Sequence, residues 1–340
     1  MRTRSLLTCA FLLAMPAAAQ AQGSPAWDKI IAAAKAEGKV VFSPGLLGSP
    51  STATVAREFE RVYGIKVESL EARISETRER IRTEQASGRH ISDVLITSYN
   101  VTSSIENNEK FIQPIPEFPN RSRVREASRV DSPAGTQVPV YTINMGLLIN
   151  TKLVSPGDEP KGWSSLLDPK WKGKILGDDP RALGGGFSTF AVLHDKLGAD
   201  YVNKLAEQGP TLIREPRMGE RRAAQGEFAI YYPFLFNGYG SLKGLPVKAI
   251  VPEEGVTFVV FVASMIKNAP HPNAALLFIN FLLSEEMQAI FAAEGLGPSI
   301  GGIESKIPAD IRPLVNAKSL GMPDWRREQD LLKVSKEIFK

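Results

Sequence analysis

The sequence predicts an α/β protein built as two lobes with largely parallel sheets, and three observations carry that expectation. Short apolar runs alternate with amphipathic stretches of helical length along most of the chain. A chain of 340 residues is long enough for two lobes of ordinary domain size. Two strand-like runs, at 138–143 and 256–260, stand where the chain would leave the first lobe and return to it.

The elements follow in order. AWDKIIAAAKAE, 26–37, places Ile30, Ile31 and Ala34 on one helical face, Gly38 stops the helix, and Val40, Val41 and Phe42 form a strand. The loop SPGLLGSPS, 43–51, leads into a helix over 52–63 with Val55, Phe59 and Val62 as its apolar stripe. A strand over 65–70, a helix over 75–87 and a strand over 93–97 complete a βαβαβ order. Residues 138–149 read as extended, and a second α/β region runs over 163–251. After a strand over 256–263 (VTFVVFVA), helices over 273–283, 285–294 and 324–339 close the chain.

The start of the chain has the build of an export leader. Arg2 and Arg4 precede an apolar stretch over 6–19, and Ala19-Gln20-Ala21 is a small-x-small cleavage site, so 1–21 is expected to be removed. The stretch is too short to span a membrane. The only cysteine, Cys9, falls inside it, so no disulfide or cysteine metal site is expected in the mature protein. Removing Arg2 and Arg4 leaves 39 basic against 37 acidic residues, too balanced for a nucleic-acid partner. With 43% hydrophobic and 23% charged residues, the rest is ordinary globular material.

In open α/β sheets, ligands bind beyond the carboxyl ends of the strands, where helix N-termini present free N–H groups. Two loops have that build. The loop at 43–51 offers Ser43, Gly45, Gly48 and Ser49, with Ser51 and Thr52 next to them; DDPRALGGGFST, 178–189, offers Arg181, Gly185 and Gly186. Each loop also reads as a plain turn and cap. Arg73 follows a strand in the first lobe and is a candidate for gripping a carboxylate or phosphate, with Arg181 as its counterpart, although Asp178 and Asp179 stand ready to pair with Arg181. Thr97, Ser98 and Tyr99 end a strand in the same region. In GEFAIYYPFLFNGYG, Tyr231 and Tyr232 are placed at the carboxyl end of a strand over 228–232, because Pro233 cannot donate to a ladder. Successive side chains on a strand point to opposite faces, so the pair can grip one ion only if the backbone leaves strand geometry.

WDKIIAAAKAEGKVVFSPG, GWSSLLDPKWKGKILGDDPR, the pair Gly226-Glu227 and PHPNAALLFINFLLSEEMQ together resemble the extracellular solute-binding proteins of bacterial ABC importers. More narrowly, they resemble the branch that includes the ferric-iron-binding proteins. The resemblance implies a two-lobed periplasmic-binding-protein fold of type II-like form, with two crossing strands as hinge and the ligand cleft between lobes. Lobe 1 is then expected over 22–137 plus 256–340 and lobe 2 over 138–255. It further implies a periplasmic monomer without a cofactor that hands a small solute to an inner-membrane permease. The expected ligand is a small organic or inorganic anion. The alternative is ferric iron with Tyr231 and Tyr232 as its ligands; in the ferric relatives the adjacent tyrosines come several residues further on, at positions held here by Leu235 and Phe236.

A secreted hydrolase is the reading from another class. GPSIG, 297–301, fits a nucleophile pattern around Ser299, but a helix rather than a strand precedes it and no histidine follows His271. His90, His194 and His271 are scattered, and no P-loop, dinucleotide glycine pattern or HExxH is present. No enzymatic activity is expected.

Overall fold

A computed structural model describes residues 24–45 and 49–340; the expected leader and Gly48 lie outside the described residues. Helix α1 (Pro25–Glu37) is capped by the Ser24 hydroxyl, which accepts from the Trp27 N–H at 3.2 Å, and it ends at Gly38 with φ 75°. Strand β1 (Lys39–Ser43), α2 (Pro50–Tyr63), β2 (Lys66–Ser69), α3 (Ile74–Ser87) and β3 (Val94–Ser98) follow. Helix α4 (Tyr99–Asn108) follows β3 directly, so Tyr99 opens a helix rather than ending the strand. Its Ser, Thr and Asn residues are poor helix formers, and burial of Tyr99, Thr102 and Ile105 overrides that propensity.

After β4 (Ile112–Gln113), the long strand β5 (Val138–Asn150) carries the chain onward to β6 (Ile175–Asp178), α5 (Gly185–Leu197), α6 (Ala199–Glu207), β7 (Thr211–Ile213), α7 (Pro216–Gln225), β8 (Ile230–Leu235) and β9 (Val247–Ile250). Strand β10 (Val256–Ile266) returns it, and α8 (Pro272–Leu282), α9 (Glu285–Ala293), β11 (Gly297–Pro298), α10 (Arg312–Val315), β12 (Ser319–Gly321) and α11 (Glu328–Ile338) complete the order. Among the described residues no single helix is long and apolar enough to cross a membrane.

The strands join in the order β2-β1-β3-β10-β5-β8-β6-β7. Strands β5 and β10 pair antiparallel at its centre and belong to both lobes: β10 continues into pairing with β3, and β5 into pairing with β8 and β9. These are the two crossing strands. On one face, here called the inner face, Tyr141, Ile143 and Met145 of β5 and Phe261 and Ala263 of β10 join a core completed by α1, α2, α8 and α9. Farther along the same face, Leu147, Ile149, Ile230 and Tyr232 pack under α5 and α6. On the back face, Val260 and Val262 of β10 pack with Tyr99.

Two expectations need correction. Strand β8 does not end before Pro233 but runs through it to Leu235. The ladder between β5 and β8 shifts register between Gly146 and Leu148, opposite this stretch, so the missing proline N–H is tolerated there. The second concerns the C-terminal part of 256–340, expected in lobe 1. Leu331 and Phe339 lie in the core of α5 and α6, and Ile307, Ile311, Leu314 and Val315 pack with Tyr231 and Phe234, so this stretch is built into the second lobe's cores. Helical periodicity marks the face that is buried, not the lobe that buries it.

Candidate functional site

The carboxyl ends of β1 and β3 on one side, and of β6 and β8 on the other, place the candidate loops about the hinge strands. In the first lobe β1 ends at Ser43, which is 1% exposed and whose hydroxyl accepts from Arg80 Nη2 at 2.7 Å. That hydroxyl is engaged within the lobe. Gly45 lies so close to β3 and β10 that a Cβ there would sit 2.5 Å from the Ile96 carbonyl oxygen and 2.8 Å from the Phe261 ring. Ser49 is the N-cap residue of α2, and its hydroxyl meets that of Ser51 at 2.7 Å. The hydroxyl and N–H of Ser51 both donate to the Glu294 carboxylate, whose pKa is raised by burial. A carboxylate of the protein therefore already stands at the start of α2, at the position read from the sequence as open to a ligand anion.

Thr97 and Ser98 take opposite faces. Thr97 is buried and pairs with Val262 on the back face, whereas Ser98 is half-buried and pairs with Phe261 on the inner face. Arg73 is the N-cap residue of α3, is exposed, and enters no side-chain ion pair among the described residues.

In the second lobe Asp178 ends β6, and its Oδ2 accepts from the Gly186 N–H at 2.8 Å, so the start of α5 also holds an internal carboxylate. Burial pushes the Asp178 pKa up to about 6, against the lowering effect of that hydrogen bond. Gly186 has no space for a side chain, since a Cβ would sit 2.4 Å from the Asp178 carbonyl oxygen. Gly185 is less tight: a Cβ would meet Leu235 at 3.2 Å, Asp178 Oδ2 at 3.3 Å and Met145 Sδ at 3.6 Å. The hydroxyls of Thr189 in α5 and Thr257 in β10 meet at 2.8 Å, tying this helix to the hinge.

Arg181 is held by groups of its own chain. Its Nε and Nη2 donate to the two Asp179 oxygens at 2.8 and 3.1 Å, and Nη1 donates to the Phe339 carbonyl at 3.2 Å. Arg214 donates to the same Asp179 at 2.9 Å. Burial alone would raise the Asp179 pKa, but the hydrogen bonds from Arg181 and Arg214 outweigh it and hold the carboxyl at about 2. The sequence offered both aspartates as partners of Arg181; Asp179 takes that partnership, and both are buried.

Tyr231 and Tyr232 lie within β8 rather than at its carboxyl end, and on opposite faces. Tyr231 is 0% exposed among Leu148, Leu176 and Ala223 on the back face, with Gly219 against its ring; Tyr232 is 5% exposed in the inner-face core with Phe190. Burial, with the nearby Asp178 charge adding to it, pushes both phenol pKa values up, so both stay protonated. The Tyr231 hydroxyl has no hydrogen-bond partner among the described residues. The carboxyl end of β8 instead presents Leu235, followed by the buried Phe236. No group of three or more His, Cys, Asp or Glu side chains able to hold a metal ion exists among the described residues.

Ser299 is 0% exposed, its N–H donates to Gln288 Oε1 at 2.7 Å, and its hydroxyl has no partner among the described residues. His271 stands at the N-cap position of α8 and pairs with the buried Asp93 at 2.8 Å, while His194 pairs with Asp195 at 3.2 Å. No nucleophile-base pair forms from them.

Sequence reasoning missed Glu294 and the role of Asp178. A carboxylate spaced far from a Ser-rich helix start leaves no local signature; only an acid directly before a glycine-led helix, as at Asp178, could have hinted at it.

Comparison with solved structures extends this picture. The chain superimposes on a Trichodesmium protein (IdiA/FutA) in complex with iron and citrate with a TM-score of 0.73 and 19% identity, covering 88% of this chain and 99% of that one. Iron-bound HitA from Pseudomonas aeruginosa gives 0.69 and 18% (88% and 99% covered), and a ferric binding protein from Campylobacter jejuni 0.72 and 16% (88% and 98%). At these identities the likeness establishes the two-lobed binding-protein fold. An uncharacterized Haemophilus influenzae protein is 30% identical over 167 residues, 46% of this chain and 48% of that protein, so the match spans about half the length of this curated relative. The profile described as "Bacterial extracellular solute-binding protein" matches residues 86–328, well over half the chain, and the chain belongs to that family.

Proposed function

We propose that this chain is the solute receptor of a bacterial ABC importer, exported by its leader to the periplasm, acting as a monomer, and delivering a small organic or inorganic anion to an inner-membrane permease. Family membership carries the transport role. The two-lobed fold, with β5 and β10 crossing between lobes, supports capture by closure around the hinge. We place the cleft at Gly45, Ser98, Leu235 and Gly185. Both helix starts there hold internal carboxylates, so the ligand's charge falls to a side chain, and Arg73, exposed and without an ion-pair partner among the described residues, suits that role. Native mass spectrometry of protein purified with its resident solute identifies the ligand, and calorimetry measures its affinity. Arg73→Ala should then lose about 2 kcal/mol of binding, roughly thirty-fold in Kd. An unchanged Kd removes Arg73 from the site.

Ferric iron is the second reading, favoured by the iron-bound proteins among the similar structures. The chain's own residues weigh against it: two buried phenols on opposite faces of β8 cannot close on one ion. Adding ferric citrate to stripped protein should give no strong visible charge-transfer band. A band that both Tyr231→Phe and Tyr232→Phe abolish would establish the iron reading instead.

A further inference from the structure

We infer that residues 319–327 form a third connection between the lobes, a strap on the back of the hinge that holds the cleft open, with Trp325 as its key positioning residue. The strap is anchored in the second lobe. Strand β12 pairs with β10 at Val256 and Thr257, Gly321 approaches Val192 and Lys196 of α5, and Arg327 Nη1 meets Asp195 of α5 at 2.5 Å. Beyond it, α11 is buried with α5 and α6 through Leu331. Between these anchors Met322 and Trp325 reach back and, together with Val130 of the first lobe and Phe258 of the hinge, pack against the cluster formed by Tyr99 at the start of α4 and Val260 and Val262 of the hinge. Asp324 shapes the turn by accepting from the Arg326 N–H at 3.0 Å and from its guanidinium.

Strand alternation fixes the side on which this contact lies. Phe258, Val260 and Val262 point to the back face, whereas Phe261 and its partner Ser98 point to the inner face, where α2 and α5 also pack. When two lobes rotate about crossing strands, groups on the closing side approach and groups on the other side part. Closure of an inner-face cleft draws Trp325 away from Tyr99, so the strap contact stabilises the open arrangement, and weakening it shifts the population toward the closed one. Tyr99 directly follows Ser98, so the strap also bears on a loop of the cleft. This inference rests on the proposed inner-face cleft, yet its test needs no ligand.

Nitroxide labels at Lys35→Cys in α1 and Lys204→Cys in α6 of the mature protein report the inter-lobe distance of the ligand-free protein by pulsed electron resonance; both positions are exposed on inner-face helices. Trp325→Ala should raise the short-distance population about five-fold, and Trp325→Phe should stay near wild type. Met322→Ala, a milder cut in the same contact, should move it in the same direction and decides the matter if Trp325→Ala fails to fold. Unchanged or longer distances in the folded variants overturn the strap. A shortened distance in a protein that binds no solute keeps the strap and removes the transport reading.

Discussion

Adjacent carboxyls at the end of β6 show how far position alone separates two identical side chains. Asp178 is buried with backbone N–H donors and no cationic partner among the described residues, and sits at about 6; Asp179 holds two guanidinium groups and sits at about 2. The signs of their contributions to stability are opposite. Asp178 keeps its proton in the folded state to a higher pH than in the unfolded chain, so its contribution falls as pH rises from about 4 to about 6. Asp179 binds protons less tightly when folded, so its contribution is present above about 4 and is lost as pH falls through about 2. Asp178→Asn should therefore stabilise the protein at pH 7.5 by about 2 kcal/mol and flatten its stability between pH 4 and 6, as read by urea unfolding. Asp179→Asn should destabilise it at pH 7.5 by about 2 kcal/mol, because Arg181 and Arg214 lose their shared partner. Equal effects from the two substitutions would show that the two environments do not differ as described. The sequence made both acids visible as partners for Arg181, but burial and the approach of Arg214 are tertiary facts that no local pattern encodes.

At the scale of elements, α5 illustrates a glycine requirement that is specific to one position. Gly186 and Gly185 are neighbours, but a Cβ at Gly186 meets rigid backbone at 2.4 Å, whereas at Gly185 it meets only side-chain atoms at 3.2 Å or more. Gly186→Ala should cost about 3 kcal/mol by pushing the helix start off β6, and Gly185→Ala less than about 1 kcal/mol, in the same urea titration. The reverse order would mean that the start of α5 sits differently on the sheet. The sequence made the GGG run legible as a helix-leading loop without telling which glycine is indispensable. Elements with clean signals were legible in the same way: α1 with its apolar stripe and Gly38 stop, and β10 with its run of β-branched and aromatic residues. Where a local rule met a tertiary compensation it misled. Pro233 argued for a strand end, yet β8 absorbs it at a register shift, and this moves Tyr231 and Tyr232 from the rim of the site into two separate cores.

For the whole molecule, two lobes and two crossing strands followed from the alternation of elements together with the family resemblance, whereas the return of the C-terminus to the second lobe did not. That return is also the most direct property to test. Leu331 is 2% exposed in the core that holds Trp163, Phe190 and Tyr201, and the Phe190 and Phe339 rings meet edge-on at 6.1 Å. Removing the Leu331 side chain leaves a cavity in that core alone, so Leu331→Ala should cost about 3 kcal/mol. The loss should also be local, because sub-global opening follows the cooperative unit that owns the damaged core. Hydrogen exchange should accelerate across α5 and α6 while α1 and α8, which pack in the first lobe's core, keep wild-type protection. Acceleration in α1 and α8 with α5 and α6 unchanged would return α11 to the first lobe. Acceleration of both sets alike would mean that the two cores unfold as one cooperative unit rather than separately.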